Sequence, residues 1–307
     1  MVYDVIILGS GPAGLSAAIY AQRARLNTLV IEEKPLSGGQ ILDTYEVDNY
    51  PGLPGMSGFE LGSKLRSHAD GLGTVFENVQ VMQVRRKGKY KEVVTNKEIY
   101  LTKSVIVATG ANHRKLGIPG EEKLMGMGVS YCATCDGAFF KGRTVAVAGG
   151  GDVALEDALF LARGCEKVYL IHRREEFRGA KILQEKVRNT KNIELVLNST
   201  IREIQGENMV QRIIVHSIIE GVDSIMEVQG VFIAVGITPN SIEAEEILKR
   251  DEQGYIVAGE DTRTSEEGIF AAGDVRTKQL RQVITAAADG ANAITSVENY
   301  LLQWQES

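Results

Sequence analysis

Gly9-Ser10-Gly11-Pro12-Ala13-Gly14 follows a short apolar run, Tyr3 to Leu8, and precedes apolar residues at helical spacing that extend to Leu26. A second apolar run, Thr28 to Ile31, comes next. Short β-branched runs on either side of a helix-period segment indicate a strand, a helix and a strand. A glycine-rich turn at the start of such a helix is typical of folds that bind the phosphates of a dinucleotide.

The same order of segments recurs later in the chain. Thr144 to Ala148 precedes a second glycine-rich turn, Gly149-Gly150-Gly151-Asp152-Val153-Ala154, which leads through helix-period residues to the run Val168 to Ile171. The two turns begin 140 residues apart, which predicts two homologous nucleotide-binding folds in one chain. Two similar runs, Ser104 to Gly110 and Val231 to Gly236, are expected to end the two folds.

Strand-like runs at 79–84, 91–95 and 98–101 lie between the two turns and predict an antiparallel excursion from a parallel sheet. We therefore predict an α/β protein with two Rossmann-like dinucleotide-binding domains, each with a central parallel sheet and a small antiparallel excursion. Turn-forming residues at 112–119 and 238–241 mark the expected crossings between the domains.

Composition excludes several classes of protein. The chain has 307 residues, enough for about two domains, and its net charge of −6 gives no sign of a nucleic-acid partner. Glycine is enriched. It accounts for 33 of the 307 residues, or about 11%, where an average chain has about 7%. The start of the chain lacks a signal-peptide pattern and no run of about 18 apolar residues occurs. We expect a soluble, cytoplasmic protein with no membrane partner.

The first glycine turn is followed by a pair of carboxylates at the end of the next strand. Glu32 lies 23 residues after Gly9, where a carboxylate accepts hydrogen bonds from a ribose. Glu33 is adjacent, and two solvated glutamates are the plain alternative. By register we favour Glu32. Gly11 would let the backbone approach a pyrophosphate, and Gly14 would let the helix pack on the strand.

The second turn has cations at the corresponding spacing. Twenty-three residues after Gly149 the chain reads His172-Arg173-Arg174, with Arg178 one turn further. Guanidinium groups bind phosphate bidentately, so this site is expected to prefer NADPH to NADH. The alternative is a solvated basic run, because Glu175 and Glu176 follow directly.

Two cysteines stand close together at Cys132-Ala133-Thr134-Cys135, followed by Asp136. The scattered histidines offer no second ligand pair for zinc, so we favour a redox dithiol over a metal site or two structural cysteines. Asp136 would be a general acid or base if burial raises its pKa, or simply a helix cap. We expect Cys165 to be a small buried hydrophobic residue.

Together these features resemble the low-molecular-weight bacterial thioredoxin reductases over essentially the whole chain. The resemblance rests on both nucleotide folds, on Cys-Ala-Thr-Cys-Asp-Gly at 132–137, on the His-Arg-Arg run with Phe177-Arg178, and on Gly273-Asp274 with Arg281-Gln282. It implies FAD in the first fold and NADPH in the second. It also implies that the NADPH domain, 114–241, is inserted between two parts of the FAD domain, 1–113 and 242–307.

The resemblance also implies the residues around each cofactor. For FAD these are Gly9, Ser10, Gly11, Pro12, Ala13, Gly14, Glu32, Glu33, Gly38, Gly39, Gln40, Asn49, Val79, Ala108, Thr109, Gly110, Gly273, Asp274, Arg281, Gln282 and Val283. For NADPH they are Gly149, Gly150, Gly151, Asp152, Val153, Ala154, His172, Arg173, Arg174, Arg178, Val235 and Gly236. Val153 departs from the family, which usually has a hydroxyl residue there. One lost hydrogen bond would weaken NADPH binding by about 1 kcal/mol.

The implied activity is reduction of thioredoxin by a homodimeric enzyme. Electrons would pass from NADPH through FAD to the Cys132–Cys135 disulfide, and Cys132 would then attack the disulfide of thioredoxin while Cys135 faces the flavin. Three alternatives remain at this point. They are a flavin disulfide reductase fed by ferredoxin or another partner, a non-catalytic flavin redox sensor, and a cysteine-metal protein.

Overall fold

The computed structural model describes residues 1–44, 47, 49–241 and 247–306, and the chain divides into two compact units. Unit 1 comprises Met1–Asn112 and Thr238–Ser307, and unit 2 comprises His113–Ile237. The boundaries expected from the sequence fall after residues 113 and 241, and their assignment to cofactor domains stays a prediction. The expected return to the first domain at residue 242 lies outside the described residues. No helix in the described part of the chain is long and apolar enough to cross a membrane.

The elements follow one another as strands interspersed with helices. The strands of the described residues are β1 (Val2–Leu8), β2 (Thr28–Glu32), β3 (Val75–Asn78), β4 (Val81–Lys87), β5 (Tyr90–Thr95), β6 (Ile99–Val107), β7 (Ala111–His113), β8 (Val129–Ser130), β9 (Thr144–Gly149), β10 (Lys167–Ile171), β11 (Ile193–Val196), β12 (Ser199–Gln205), β13 (Arg212–Ser217), β14 (Asp223–Glu227), β15 (Gly230–Ala234), β16 (Ile237–Pro239) and β17 (Ile269–Ala271). The α-helices are α1 (Pro12–Arg23), α2 (Gly58–Gly71), α3 (Ala133–Asp136), α4 (Asp152–Leu161), α5 (Lys181–Asn189) and α6 (Val283–Glu306).

Unit 1 is built on a seven-stranded sheet. Its order is β3-β2-β1-β6-β5-β4, and β17 also pairs with β6. Strands β1, β2, β3, β6 and β17 run parallel, whereas β4 and β5 are antiparallel. Helices α1 and α6 pack closely. Gly290 of α6 lies so near α1 that a Cβ at this position would be 2.2 Å from the Ala13 carbonyl oxygen. The predicted parallel sheet with an antiparallel excursion is confirmed here.

Unit 2 repeats this plan with a smaller sheet. Strands β11-β10-β9-β15-β8 form a parallel sheet, and β12-β13-β14 form a separate antiparallel one. Apolar side chains of β9, α4 and β15, including Val147, Leu155 and Phe232, are fully buried in its core. The predicted second α/β fold, inserted between the parts of the first, is therefore present.

One predicted break in the chain is absent. The sequence pattern gives 98–101 and 104–110 as two separate runs. The structure joins them in β6. The hydroxyls of Thr102 and Ser104 are fully buried and donate to the backbone oxygens of Ser104 and Asp4, at 2.8 and 2.7 Å. Satisfied hydroxyls are tolerated inside a sheet.

The two crossings between the units run side by side. Strands β7 and β16 pair in a two-stranded sheet. On the unit 1 side, Asn240 donates from its side-chain Nδ2 to the Thr109 oxygen at 3.0 Å and from its backbone to the Gly110 oxygen at 2.9 Å. On the unit 2 side, the Arg114 amide donates to the Gly236 oxygen at 2.9 Å.

Candidate active site

Several of the unit 1 residues that are predicted to surround FAD lie at the carboxyl ends of parallel strands. The turn 9–14 follows β1, Glu32 ends β2 and Glu33 follows it, residues 108–110 follow β6, and Gly273 follows β17. Val79 comes directly after β3 and is buried. Parallel strands bring their carboxyl ends to one edge of the sheet, which is where open α/β sheets bind ligands.

The first glycine turn is held tightly against the sheet. The Gly9 amide donates to the Ile31 oxygen at 2.8 Å. A Cβ at Gly14 would lie only 1.9 Å from the Gly9 oxygen, so α1 approaches the strand too closely for any side chain at this position. Gly11 is the N-cap of α1 and no side chain caps the helix. The amides of its first turn are therefore available to an anion.

The two adjacent glutamates differ in their surroundings. Glu32 is half-buried, and one of its carboxylate oxygens accepts hydrogen bonds from the Ser10 amide and hydroxyl, both at 2.8 Å. Its other oxygen accepts from the Lys34 amide at 2.9 Å. Glu33 is exposed. The geometry therefore favours Glu32 as the carboxylate beside the glycine turn, as the strand register indicated.

Three buried polar atoms of unit 1 have no hydrogen-bond partner among the described residues. They are the Thr74 Oγ1, the Asp274 Oδ1 and the Arg281 Nε. Burial raises the pKa of Asp274, although nearby Lys278 and Arg281 lower it. An unpaired buried polar atom is costly, so a polar ligand at Asp274 and Arg281 would offset that cost. Nearby in sequence, the Gln282 side chain accepts a hydrogen bond from the Asn49 Nδ2 at 2.9 Å, which joins two further predicted residues.

The turn that carries Asp274 is anchored by a buried ion-pair cluster that the sequence analysis missed. Asp289 on α6 accepts from the Gly273 amide at 2.8 Å, from two nitrogens of Arg276 at 2.9 and 2.6 Å, and from the Lys278 Nζ at 2.8 Å. These contacts hold the pKa of Asp289 below its usual value, although burial raises it. The cluster fixes the backbone at Gly273.

The predicted unit 2 residues also follow the ends of parallel strands. The second glycine turn begins at the last residue of β9, the basic run follows β10, and Val235-Gly236 follows β15. Gly151 is the N-cap of α4, again without a side-chain cap. The Asp152 carboxylate accepts from the Ala180 amide at 2.7 Å. Val153 is 56% exposed, so it offers an apolar surface where a hydroxyl was expected.

The basic run contains one residue whose surroundings differ from those of the rest. Arg173, Arg174 and Arg178 are exposed, whereas His172 is buried, stacks on the Phe177 ring at 5.4 Å, and has no partner for its Nε2 in the described residues. Burial lowers the pKa of His172, which favours the neutral ring. The three arginines, and not the histidine, therefore supply the positive charge here.

His172 instead lies against the glycine turn. A Cβ at Gly150 would lie 2.2 Å from the imidazole Cε1 of His172, and the Arg178 amide donates to the Gly150 oxygen at 2.8 Å. The histidine thus packs on the turn. Phe177 belongs to the same sequence motif, but no local signal identifies it as the ring that stacks on His172.

The dithiol follows β8, at the same edge of the unit 2 sheet. Cys132 is the extended N-cap residue of α3 and Cys135 lies in its first turn. The two form a disulfide with their Cα atoms 5.3 Å apart. The Cys132 oxygen accepts from the amides of Cys135 and Asp136, at 3.2 and 3.1 Å. A short helical turn therefore brings the two sulfurs together.

The surroundings of Asp136 agree with the acid–base interpretation. Its side chain caps no helix, and its buried Oδ1 lacks a hydrogen-bond partner among the described residues. Burial raises the pKa of Asp136, and a hydrogen bond with Ser130 opposes the rise. The Ser130 hydroxyl also accepts from the Cys132 amide at 3.0 Å. Ser130 could not be identified from the sequence, because a lone serine in a strand belongs to no motif.

The third cysteine lies apart from this chemistry. Cys165 is free and buried, and burial raises its pKa, as expected for a packed thiol. Within the described ranges no three His, Cys, Asp or Glu side chains come together in a way that could hold a metal ion.

Comparison with known proteins agrees with this geometry. The pyridine nucleotide-disulphide oxidoreductase family matches residues 3–290. A thioredoxin reductase from Listeria innocua is 44% identical over 307 residues, covering all of this chain and 96% of its own length. The crystal structure of the Streptococcus pyogenes thioredoxin reductase is 41% identical, with a TM-score of 0.92 over 98% of this chain and 99% of that one. A ferredoxin-flavin thioredoxin reductase from Clostridium acetobutylicum is 29% identical, with a TM-score of 0.56 over the full length of both chains.

Proposed function

This chain belongs to the pyridine nucleotide-disulphide oxidoreductase family, and within it to the thioredoxin reductases; from this premise we propose that it reduces thioredoxin with NADPH as the electron donor. The observation that carries the proposal is the Cys132–Cys135 disulfide at the edge of the unit 2 sheet, beside the buried carboxyl of Asp136. The partner is thioredoxin or a similar protein with an exposed disulfide. A homodimer and a cytoplasmic location stay predictions.

FAD fits the residues of unit 1. The uncapped start of α1 would receive the pyrophosphate, and Glu32 would bind the adenosine ribose. Asp274 and Arg281 have the unpaired buried atoms that a flavin nucleotide's polar groups would satisfy. When bound, the flavin accepts a hydride and passes two electrons to a disulfide.

NADPH fits the residues of unit 2. The start of α4 would receive its pyrophosphate. Arg173, Arg174 and Arg178 would bind the 2′-phosphate, because exposed guanidinium groups match phosphate oxygens in charge and geometry. His172 would pack against the glycine turn, and the arginines would supply the positive charge.

The dithiol performs the exchange with the protein substrate. In the reduced enzyme, the Cys132 thiolate attacks one sulfur of the partner disulfide, a mixed disulfide forms, and the partner's other sulfur leaves and takes a proton from Asp136. The Cys135 thiolate then attacks the Cys132 sulfur. This releases the partner's second thiol and forms the Cys132–Cys135 disulfide again, so two electrons have moved to the partner.

Replacing Cys135 by serine tests this proposal directly. The Cys135→Ser variant should lose thioredoxin reduction by more than about 1000-fold, because neither the internal disulfide nor the resolving thiol can form. NADPH-dependent reduction of ferricyanide should stay within about twofold of the wild type, since it needs no dithiol. Cys165→Ser is the matched control and should retain both activities. Near-normal thioredoxin turnover in Cys135→Ser would contradict the proposal.

The raised pKa of Asp136 predicts a pH dependence of the exchange. A carboxyl with a raised pKa keeps its proton to higher pH, so the rate of the exchange step should fall as pH rises through that pKa. Asp136→Asn should lower kcat with thioredoxin by about 100-fold and remove this alkaline limb. Asp223→Asn, in the antiparallel sheet of unit 2, is the control. An unchanged limb in Asp136→Asn would assign the titration to another group.

A second electron source is supported by one observation. The ferredoxin-flavin relative aligns with the whole of this chain, so the fold alone does not select NADPH. The three exposed arginines favour NADPH, because a ferredoxin-fed enzyme has no need of a 2′-phosphate site. Anaerobic addition of NADPH should bleach the flavin within seconds. Bleaching by reduced ferredoxin but not by NADPH would favour the alternative.

A further inference from the structure

A buried carboxylate lies close in sequence to the dithiol but outside the site described above. Glu121 is 1% exposed. Its oxygens accept hydrogen bonds from the backbone amides of Leu116, Gly117 and Ile118, at 2.9, 2.7 and 3.4 Å. These amides belong to the segment that enters unit 2 after the first crossing. The carboxylate therefore fixes the backbone of that segment.

The fourth donor to this carboxylate is the residue directly before Cys132. The Tyr131 hydroxyl donates to Glu121 Oε1 at 2.6 Å, and its ring stacks on His113 with centroids 5.1 Å apart and planes 23° apart. Burial and the charge of Glu121 both raise the pKa of Tyr131, so the hydroxyl stays a donor. Tyr131 is thus held at both its ring and its hydroxyl.

These contacts restrict the backbone that carries the attacking sulfur. Ser130 ends the paired strand β8. Tyr131 is the first residue after the strand and Cys132 is the second. Opening the disulfide removes the one covalent constraint on the Cys132 side chain. The hydrogen bond at Tyr131 and the bond from the Cys132 amide to the Ser130 hydroxyl do not depend on the disulfide. They remain available to hold Cys132 in the reduced enzyme.

We propose that Tyr131 and Glu121 are a positioning pair that holds Cys132 in place for thiol–disulfide exchange. The proposal rests on the function proposed above. In the described part of the chain, the hydrogen bonds of these two side chains join them to backbone amides and to each other. Their contribution is to keep Cys132 near Cys135 and oriented toward the incoming disulfide, which raises the effective concentration of the two thiols.

The test removes only the hydroxyl. Tyr131→Phe keeps the ring that stacks on His113 but breaks the bond to Glu121. The equilibrium constant for forming the Cys132–Cys135 disulfide against dithiothreitol, measured by alkylation and mass spectrometry, should fall about threefold to tenfold. The kcat with thioredoxin should fall by a similar factor, while NADPH-dependent ferricyanide reduction stays unchanged. Tyr169→Phe, in β10, is the matched control and should change none of these values.

A double-mutant cycle then asks whether the two residues act together. If they do, Tyr131→Phe with Glu121→Gln should be no worse than Glu121→Gln alone in the dithiothreitol equilibrium. Additive effects, or a Tyr131→Phe equilibrium within 1.5-fold of the wild type, would overturn the proposal. The dithiothreitol measurement involves neither thioredoxin nor NADPH. If the wild-type enzyme fails to reduce thioredoxin, the proposed function fails while the positioning pair is still tested.

Discussion

The two glycine turns share one backbone plan but contain different residues at matching positions. Leu8 pairs with Ile31 in unit 1 as Ala148 pairs with Ile171 in unit 2. Two residues after the first member of each pair, Leu8 or Ala148, unit 1 has Ser10 and unit 2 has Gly150. In both units this residue contacts the one directly after the second member of the pair, which is Glu32 in unit 1 and His172 in unit 2.

The two contacts differ in kind. Ser10 donates two hydrogen bonds to the Glu32 carboxylate, whereas Gly150 leaves room for the imidazole of His172. A polar contact in one unit is thus replaced by a packing contact in the other. The comparison shows that the side chain in the glycine turn and the side chain opposite it limit each other's size. The two positions must therefore be considered together.

The end of the turn differs as well. At Gly14 any Cβ would meet the Gly9 oxygen at 1.9 Å, yet the equivalent residue of unit 2 is Ala154, which is fully buried. Helix and strand therefore approach each other more closely at this position in unit 1 than in unit 2. The same motif tolerates a methyl group in one copy and excludes it in the other.

Among the effects that this comparison predicts, the largest concerns the arginines that follow β10, at the spacing where unit 1 has glutamates. Arg173→Ala with Arg174→Ala should raise the KM for NADPH about 100-fold, since each charge-assisted bond to phosphate contributes about 1.5–3 kcal/mol. The KM for NADH should change less than twofold. Arg163→Ala, on the same unit, is the control. Equal loss with both nucleotides would mean that these arginines do not read the 2′-phosphate.

A smaller effect tests the packing of His172 on the second turn. Gly150→Ser should raise the KM for NADPH about tenfold, because the new Cβ would lie 2.2 Å from the imidazole and overpacking costs about 1–3 kcal/mol. In a His172→Ala background the same serine should cost less than twofold, as the obstructing ring is gone. A serine that is equally harmful in both backgrounds would show that His172 is not the obstacle.

The smallest expected effect concerns the polar contact in unit 1. Ser10→Ala removes one hydrogen bond to Glu32 and keeps the backbone bond. The dissociation constant for FAD should rise about fivefold, as expected for one bond of about 1 kcal/mol. The KM for NADPH should not move. Fluorescence titration of the apoprotein measures the change, and no rise would show that the Ser10 hydroxyl does not orient the carboxylate.

The sequence predicted the parts of this molecule that depend on local pattern. Both strand–turn–helix segments, the Cys132–Cys135 pair and the choice of Glu32 over Glu33 followed from spacing, because parallel strands place the residues after them at one edge. The burial of His172 could not be predicted in this way. Its position in the motif suggested a cation, and only packing on Gly150 and Phe177 removes it from the surface.

Contacts between distant residues were also invisible in the sequence. Glu121 lies in a turn with no recognisable motif, and its buried carboxylate is explained only by the backbone amides folded around it. Asp289 lies in a long helix, where an acidic residue would ordinarily face solvent, and its partners Gly273 and Arg276 come from another element. Such groups depend on three-dimensional neighbours, which periodicity does not encode.

The inserted arrangement of the two units has a consequence for how the chain folds as it leaves the ribosome. Strand β6 is synthesised more than 160 residues before its partner β17. The stretch of chain between α1 and α6, which packs on it, is longer still. All of unit 2 emerges in between. Because domains fold as units during synthesis, we expect unit 2 to fold while unit 1 is incomplete. We therefore expect nascent unit 1 to keep an uncovered apolar helix face until α6 is made.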